Sequence, residues 1–311
     1  MGYRYGPVVV GVDGSADSVG ALRWAADAAC RHSRELHAVH VLHKAAPPGE
    51  ASRALADDAA AEARRWLPGV CATGVAETGD AVEVLRRHSQ TARLVVIGSH
   101  GTGGVDGKPV GAVAEALCLR AHCPVLVVEA GRRWADPWSV LPHDGPVLVG
   151  FDGSDPARRA LRLGFEEAAG RRSRLIVIQV WQHPDLWRPG HHRHGADLAA
   201  EEAAIRAALH EAAGPWQARH PLVEMELRSE PGDPSDALSV ASQCALLMVL
   251  GPVRTEDPGR TAESSVLRRV LRHMACPALI AHDPGRTPVP HTPPEHAPAY
   301  PPQEVRHGAP G

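Results

Sequence analysis

An apolar run, Arg93-Leu-Val-Val-Ile97, ends in Gly98-Ser99-His100-Gly101, and nine residues later Gly111-Ala112-Val113-Ala114 opens a helical pattern. The spacing is G-x-x-G-x9-G. Glycines directly after a parallel strand let the main chain approach a ligand closely, and N–H groups at the start of the next helix attract an anion such as phosphate. Asp13 follows the first apolar run, Val8-Val-Val-Gly-Val12. In a doubly wound sheet the carboxyl ends of two such strands flank the crevice where ligands bind. The chemistry suggested is the holding of a phosphorylated ligand. A nucleophile paired with a base is not evident beside the loop: His100 is the nearest imidazole, and a lone histidine in a glycine turn is a weak basis for acid–base catalysis.

The elements that must position these residues occur twice. Pro7-Val-Val-Val-Gly-Val-Asp13-Gly-Ser15 returns 139 positions later as Pro146-Val-Leu-Val-Gly-Phe-Asp152-Gly-Ser154. Short β-branched runs alternate with amphipathic helical patterns, the mark of βαβ units around a parallel sheet. Strands are expected at about 7–12, 36–42, 70–76, 94–97 and 124–128, with helices at about 16–32, 50–66, 79–90 and 109–121. The second copy reads as strands near 146–151, 174–180, 222–228, 246–250 and 277–281, with helices near 155–170, 196–213, 234–243 and 261–274. The expected organisation is a first domain at 1–129, a linker at 130–145, a second and degenerate domain at 146–283, and a Pro/His-rich disordered tail at 284–311.

The copies diverge where a ligand would be held. The offset grows from 139 at Val41/Val180 to 153 at Gly79/Gly232, so the second copy carries 14 extra residues. They fall around Trp181–Gly195, a loop with four histidines whose spacing favours no metal site. The second glycine loop reads Gly251-Pro-Val-Arg254, nine residues, then Ser264, so two of three glycines are replaced. Arg254 either occupies the phosphate approach or binds phosphate itself. Asp13-Gly-Ser15 and Asp152-Gly-Ser154 also make good turns with serine helix caps. That suffices to explain Asp152; for Asp13, capping and ligand binding are compatible.

Composition narrows the function classes. A formal charge of −3 without a dense Lys/Arg block argues against nucleic acid or an anionic membrane as partner. No apolar stretch approaches the roughly 20 residues that span a bilayer, so a cytoplasmic protein is expected. The six cysteines form no C-x-x-C pair and are expected as buried free thiols.

Val-Gly-Val-Asp-Gly-Ser at the first strand, His40-Val41 and Gln179-Val180 in the second, the G-x-x-G-x9-G loop and the Cys-Pro opening of the last strand together resemble the universal stress protein family, in its tandem form. The resemblance implies two flavodoxin-like α/β domains, each a five-stranded parallel sheet of order 3-2-1-4-5, paired through their last strands within the chain, with a homodimer possible. It further implies a non-catalytic stress-response protein that binds ATP or a related adenine nucleotide, with or without Mg²⁺, in the first domain only. Asp13 and Val41 would face adenine and ribose; Gly98, Gly101, Gly111 and Ala112 would surround the phosphates. The family pattern has hydroxyls where this chain has Ala112 and Ala114, which predicts weakened phosphate binding, with Lys108 a candidate to compensate. The alternative is an interaction module of the same fold that binds no nucleotide.

Overall fold

The computed structural model describes residues 6–43, 49–101, 110–129, 145–181, 195–252 and 266–283. Lys108, Arg254, Ser264, the histidine-rich loop, the linker and the tail lie outside the described residues. The first repeat runs β1 (Val8–Gly11), α1 (Ala16–His32), β2 (Leu36–Leu42), α2 (Glu50–Trp66), β3 (Ala72–Thr78), α3 (Ala81–His88), β4 (Leu94–Gly98), α4 (Ala112–Arg120) and β5 (Val125–Val128). The second runs β6 (Val147–Gly150), α5 (Asp155–Arg171), β7 (Leu175–Trp181), α6 (Gly195–Arg219), β8 (Met225–Pro231), α7 (Pro234–Ser242), β9 (Leu247–Leu250), α8 (Val266–His273) and β10 (Ala278–Ile280).

The strands form one ten-stranded sheet of order β3-β2-β1-β4-β5-β10-β9-β6-β7-β8. Each half reads 3-2-1-4-5, and within each half every pairing is parallel. The halves join through β5 and β10, which pair antiparallel with Leu126 opposite Leu279. These leucines are equivalent positions, 153 residues apart, so an approximate two-fold axis passes between them.

Strand side chains alternate faces, and buried strands therefore read as continuous apolar runs. Val8 and Val10 enter one core with Trp24 of α1 and Phe165 of α5. Val9 enters the other with Leu117 of α4 and Leu271 of α8. Each core draws residues from both repeats, so the sheet is covered on both faces across the junction. Alanines at positions 21, 25, 28 and 29 give α1 a small-residue face that lies close on the strands.

Two expectations need correction. The helix expected at 196–213 extends to Arg219, through Pro215. Leu209 and Ala213 are buried and Trp216 packs against the same core, so tertiary packing outweighs the local cost of the proline. The cysteines are all free, but Cys30, Cys71 and Cys244 are exposed while Cys118, Cys123 and Cys276 are buried. Cys30 falls on the outward side of the last turn of α1, and the other two lie on segments between elements, where flanking apolar residues do not imply burial.

Candidate functional site

Asp13 stands just past β1, in a turn that Gly14 completes with φ of 82°. Its Oδ1 accepts the Ser15 N–H at 3.0 Å, and Ser15 Oγ in turn accepts the Ser18 N–H at 3.2 Å, capping α1. One carboxylate oxygen is thus spent on the turn. The other faces the glycine loop: a β-carbon at Gly101 would sit 2.6 Å from Asp13 Oδ2. The first-strand aspartate and the second loop glycine, 88 residues apart in sequence, meet across the gap between β1 and β4.

The loop is tied down by a residue the sequence reading passed over. Asp17, on the first turn of α1, accepts from Ser99 Oγ at 2.8 Å and from the His100 N–H at 2.8 Å through the same oxygen, with His100 Nδ1 3.2 Å away. Gly98 makes this possible, since a β-carbon there would lie 2.7 Å from Asp17 Cβ. Gly111 closes the far side, donating its N–H to the Ser99 carbonyl at 2.7 Å. The second repeat has Pro156 where the first has Asp17 and Pro252 where it has Ser99, so this latch is missing there. That paired difference was the available signal for Asp17.

Gly111 is the N-cap of α4, and no side chain caps that helix, in contrast to α1, α3, α5 and α7, capped by Ser15, Asp80, Ser154 and Asp233. An uncapped first turn beside a glycine loop keeps N–H groups available to an anion. Ala112 is exposed on that turn. Ala114 is 2% exposed and packs in the core with Leu117 and Val127, so the expectation that its position faces a phosphate does not hold. Val41 lies near the carboxyl end of β2, half-buried, next to His40, whose Nδ1 donates to the Val12 carbonyl at 2.8 Å. Five of the six expected residues, Asp13, Gly98, Gly101, Gly111 and Ala112, surround one loop; Val41 lies on the neighbouring strand.

The site is acidic. Asp13 and Asp17 border it, and Glu129, just past β5, has its carboxyl pKa raised by burial and then by the charge of Asp17, partly offset by His100. Among the described residues of the loop, Ser99 is 1% exposed and its hydroxyl proton is committed to Asp17, so it is not presented as a nucleophile. Among the described residues no three His, Cys, Asp or Glu side chains converge as a metal site, and no helix is long and apolar enough to cross a membrane. In the second repeat Asp152 is exposed, and its Oδ1 accepts the Ser154 N–H at 3.0 Å, so the turn accounts for it.

A doubly wound sheet with a glycine loop at its switch point defines an α/β protein of the flavodoxin-like kind. The universal stress protein family matches over residues 4–129 and again over 145–282, and the chain belongs to that family as a tandem member. It is 32% identical over 299 residues to a universal stress protein of Mycobacterium tuberculosis, covering 89% of this chain and 96% of the relative. A Mycolicibacterium smegmatis relative is 30% identical over 296 residues, with 89% and 97% covered. Among solved structures, a universal stress protein from Archaeoglobus fulgidus aligns over 91% of this chain and 98% of its own, at 20% identity and a TM-score of 0.57, a likeness of fold.

Proposed function

We propose that the first repeat, residues 1–129, binds an adenine nucleotide, ATP with Mg²⁺ in the first instance, and that the protein is a stress-response regulator rather than a catalyst. The observation that carries this reading is the approach of Asp13 Oδ2 to Gly101 beside the uncapped start of α4. A carboxylate suited to a ribose hydroxyl faces a loop suited to phosphates. Gly98, Gly101 and Gly111 supply main chain at close range, Ala112 the helix-start N–H, and Val41 the strand edge beside the base. A divalent cation would be carried in with the phosphates and held chiefly by phosphate oxygens and water, as Mg²⁺ commonly is, since the described carboxylates do not converge on one point. Bound there, the cation would neutralise phosphate charge, and this chain's part would be to orient the nucleotide.

In the second repeat, residues 146–283, Pro156 and Pro252 remove the latch, which supports restricting nucleotide to the first. Residues 130–145 then serve as the link and 284–311 as a tail outside the fold. The pairing through β5 and β10 supplies the route by which occupancy of one repeat reaches the other. A further homodimer and a cytoplasmic location belong to the same reading.

Calorimetric titration of the full chain with ATP, with and without Mg²⁺, tests it. Wild type should bind, Asp13→Ala should bind at least tenfold more weakly, and Asp152→Ala should match wild type. Absence of binding up to millimolar ATP overturns the reading in favour of an interaction module, which the commitment of Asp13 Oδ1 to its own turn would then explain in full.

A further inference from the structure

At the amino ends of the strands, opposite the glycine loop, the two repeats border an open cleft of about 730 Å³. The first repeat supplies Arg31 and His32 from the last turn of α1, Arg34 from the turn before β2, and Arg93 from the segment leading into β4. The second supplies Glu166 and Gly170 of α5, and Trp216, Arg219 and His220 at the end of α6. Glu167, which is not part of the lining, reaches Arg31 at 3.2 Å and His32 at 3.8 Å, and four arginines and two histidines line the cleft beside one lining carboxylate. That carboxylate, Glu166, is itself paired with Arg162 at 2.7 Å.

Helix-dipole compensation accounts for part of this charge, because Arg31 and Arg219 sit where helix carbonyls end. Arg31 is also held by Asp27 at 2.9 Å and Glu167 at 3.2 Å. Dipole compensation does not extend to Arg93, which lies outside the helices and donates to His32 Nδ1 at 3.3 Å, keeping that imidazole in the cleft wall. Arg219 lies over the Trp216 ring at 4.8 Å, and His220 stacks on buried Phe165 with centroids 6.1 Å apart, so the α6 wall is set by packing. The volume falls in the range of small-molecule sites. Guanidinium forks match phosphate oxygens two at a time, which an ammonium cannot do.

We propose that this cleft binds a small, multiply charged phosphate compound, gripped by arginines of both repeats. A ligand with charges at two points can engage both walls; a single phosphate engages one. The cleft is separate from the nucleotide site. Asp13 and Ser15 precede α1 and Arg31 and His32 end it, and a helix of 17 residues puts roughly 25 Å between them. Because its walls belong to different repeats, occupancy would stiffen their junction.

The test is calorimetric titration of the full chain with inorganic tripolyphosphate at 150 mM salt, in a Gly101→Val background that closes the loop site. Binding should persist there, and adding Arg219→Gln or Arg93→Gln should weaken it at least tenfold. Arg219 is exposed on the last turn of α6, so Arg219→Gln stays informative even where Arg93→Gln unfolds the protein, as melting curves would reveal. No binding in the Gly101→Val protein, or binding indifferent to the arginine changes that leave it folded, overturns the proposal.

Discussion

Arg268 on α8 is ion-paired with Glu115 on α4, and the two residues occupy the same position in their repeats, 153 residues apart. Across the approximate two-fold axis between Leu126 and Leu279, a pairing of two first repeats would set Glu115 against Glu115. Two second repeats would set Arg268 against Arg268. The charges therefore favour pairing of unlike repeats, a specificity obtained by penalising the alternatives. Glu115→Arg should lower stability by about 0.5–1 kcal/mol, because both side chains are partly exposed and such pairs are worth little more. Adding Arg268→Glu should recover most of the loss. Urea midpoints of the four proteins in this cycle measure it, and failure of the double reversal to recover stability would show that the pair carries no coupling.

The Asp17 latch yields a second expectation. One carboxylate oxygen holds Ser99 Oγ and the His100 N–H, and a hydrogen bond to a charged group contributes about 1.5–3 kcal/mol. Asp17→Ala should release the glycine loop, speeding amide hydrogen exchange at His100 and weakening ATP binding at least tenfold. The exchange readout stands even if no nucleotide binds. Unchanged protection at His100 would mean that the loop is held by other contacts.

How much of this was legible in the sequence follows from what is local. The βαβ alternation, the repeat, the glycine loop and the Asp-Gly-Ser turn are short patterns whose geometry follows from neighbouring residues, and the chain folds where they indicate. Asp17 escaped notice because its partners, Ser99 and His100, are 82 and 83 residues away and nothing in the first turn of α1 announces them. Ala114 was misjudged for a related reason: on a helix starting at Ala112 the third residue turns inward, and only packing reveals which face is core. The charged cluster between α1 and α5 needed both repeats docked before it existed.

That cluster carries the third expectation. Glu167 bonds Arg171 at 3.1 Å and Arg31 at 3.2 Å, Arg171 also reaches Asp27 at 3.3 Å, and its guanidinium lies over buried Trp24 at 4.5 Å. Burial alone would raise the Glu167 pKa, but Arg31, His32 and Arg171 outweigh it and hold the carboxyl far below the usual range. Breaking a buried pair from one side strands the partner charges, so Glu167→Gln should cost about 3–5 kcal/mol. A depressed folded pKa means that the contribution of Glu167 is complete above its unfolded value of about 4.3 and is lost as pH falls below it. Denaturant unfolding at pH 7 and pH 3.5 checks both parts. A Glu167→Gln loss near zero at pH 7 would show that the cluster is no more stabilising than a neutral contact.

His282 gives a fourth expectation in a different pH window. It follows β10, is 6% exposed, and is hydrogen-bonded to the Cys118 backbone of α4 in the other repeat. Burial, with Arg159 and His122 nearby, lowers its pKa to about 4, against an ordinary value near 6.5. The unfolded chain therefore binds a proton that the folded chain refuses, and stability falls as pH drops from about 6.5 toward 4. Over the step from pH 6.5 to pH 5 the loss from this residue is at most about 2 kcal/mol, at 1.36 kcal/mol per pKa unit. Glu167 contributes little in that interval, since its unfolded form is mostly ionised there. His122 is a second imidazole whose pKa is lowered, by burial and by Arg86, so His122→Gln is the necessary companion. Urea midpoints at pH 6.5 and pH 5 should draw together in His282→Gln while keeping most of their separation in His122→Gln. An undiminished separation in His282→Gln would place the acid sensitivity of the junction elsewhere.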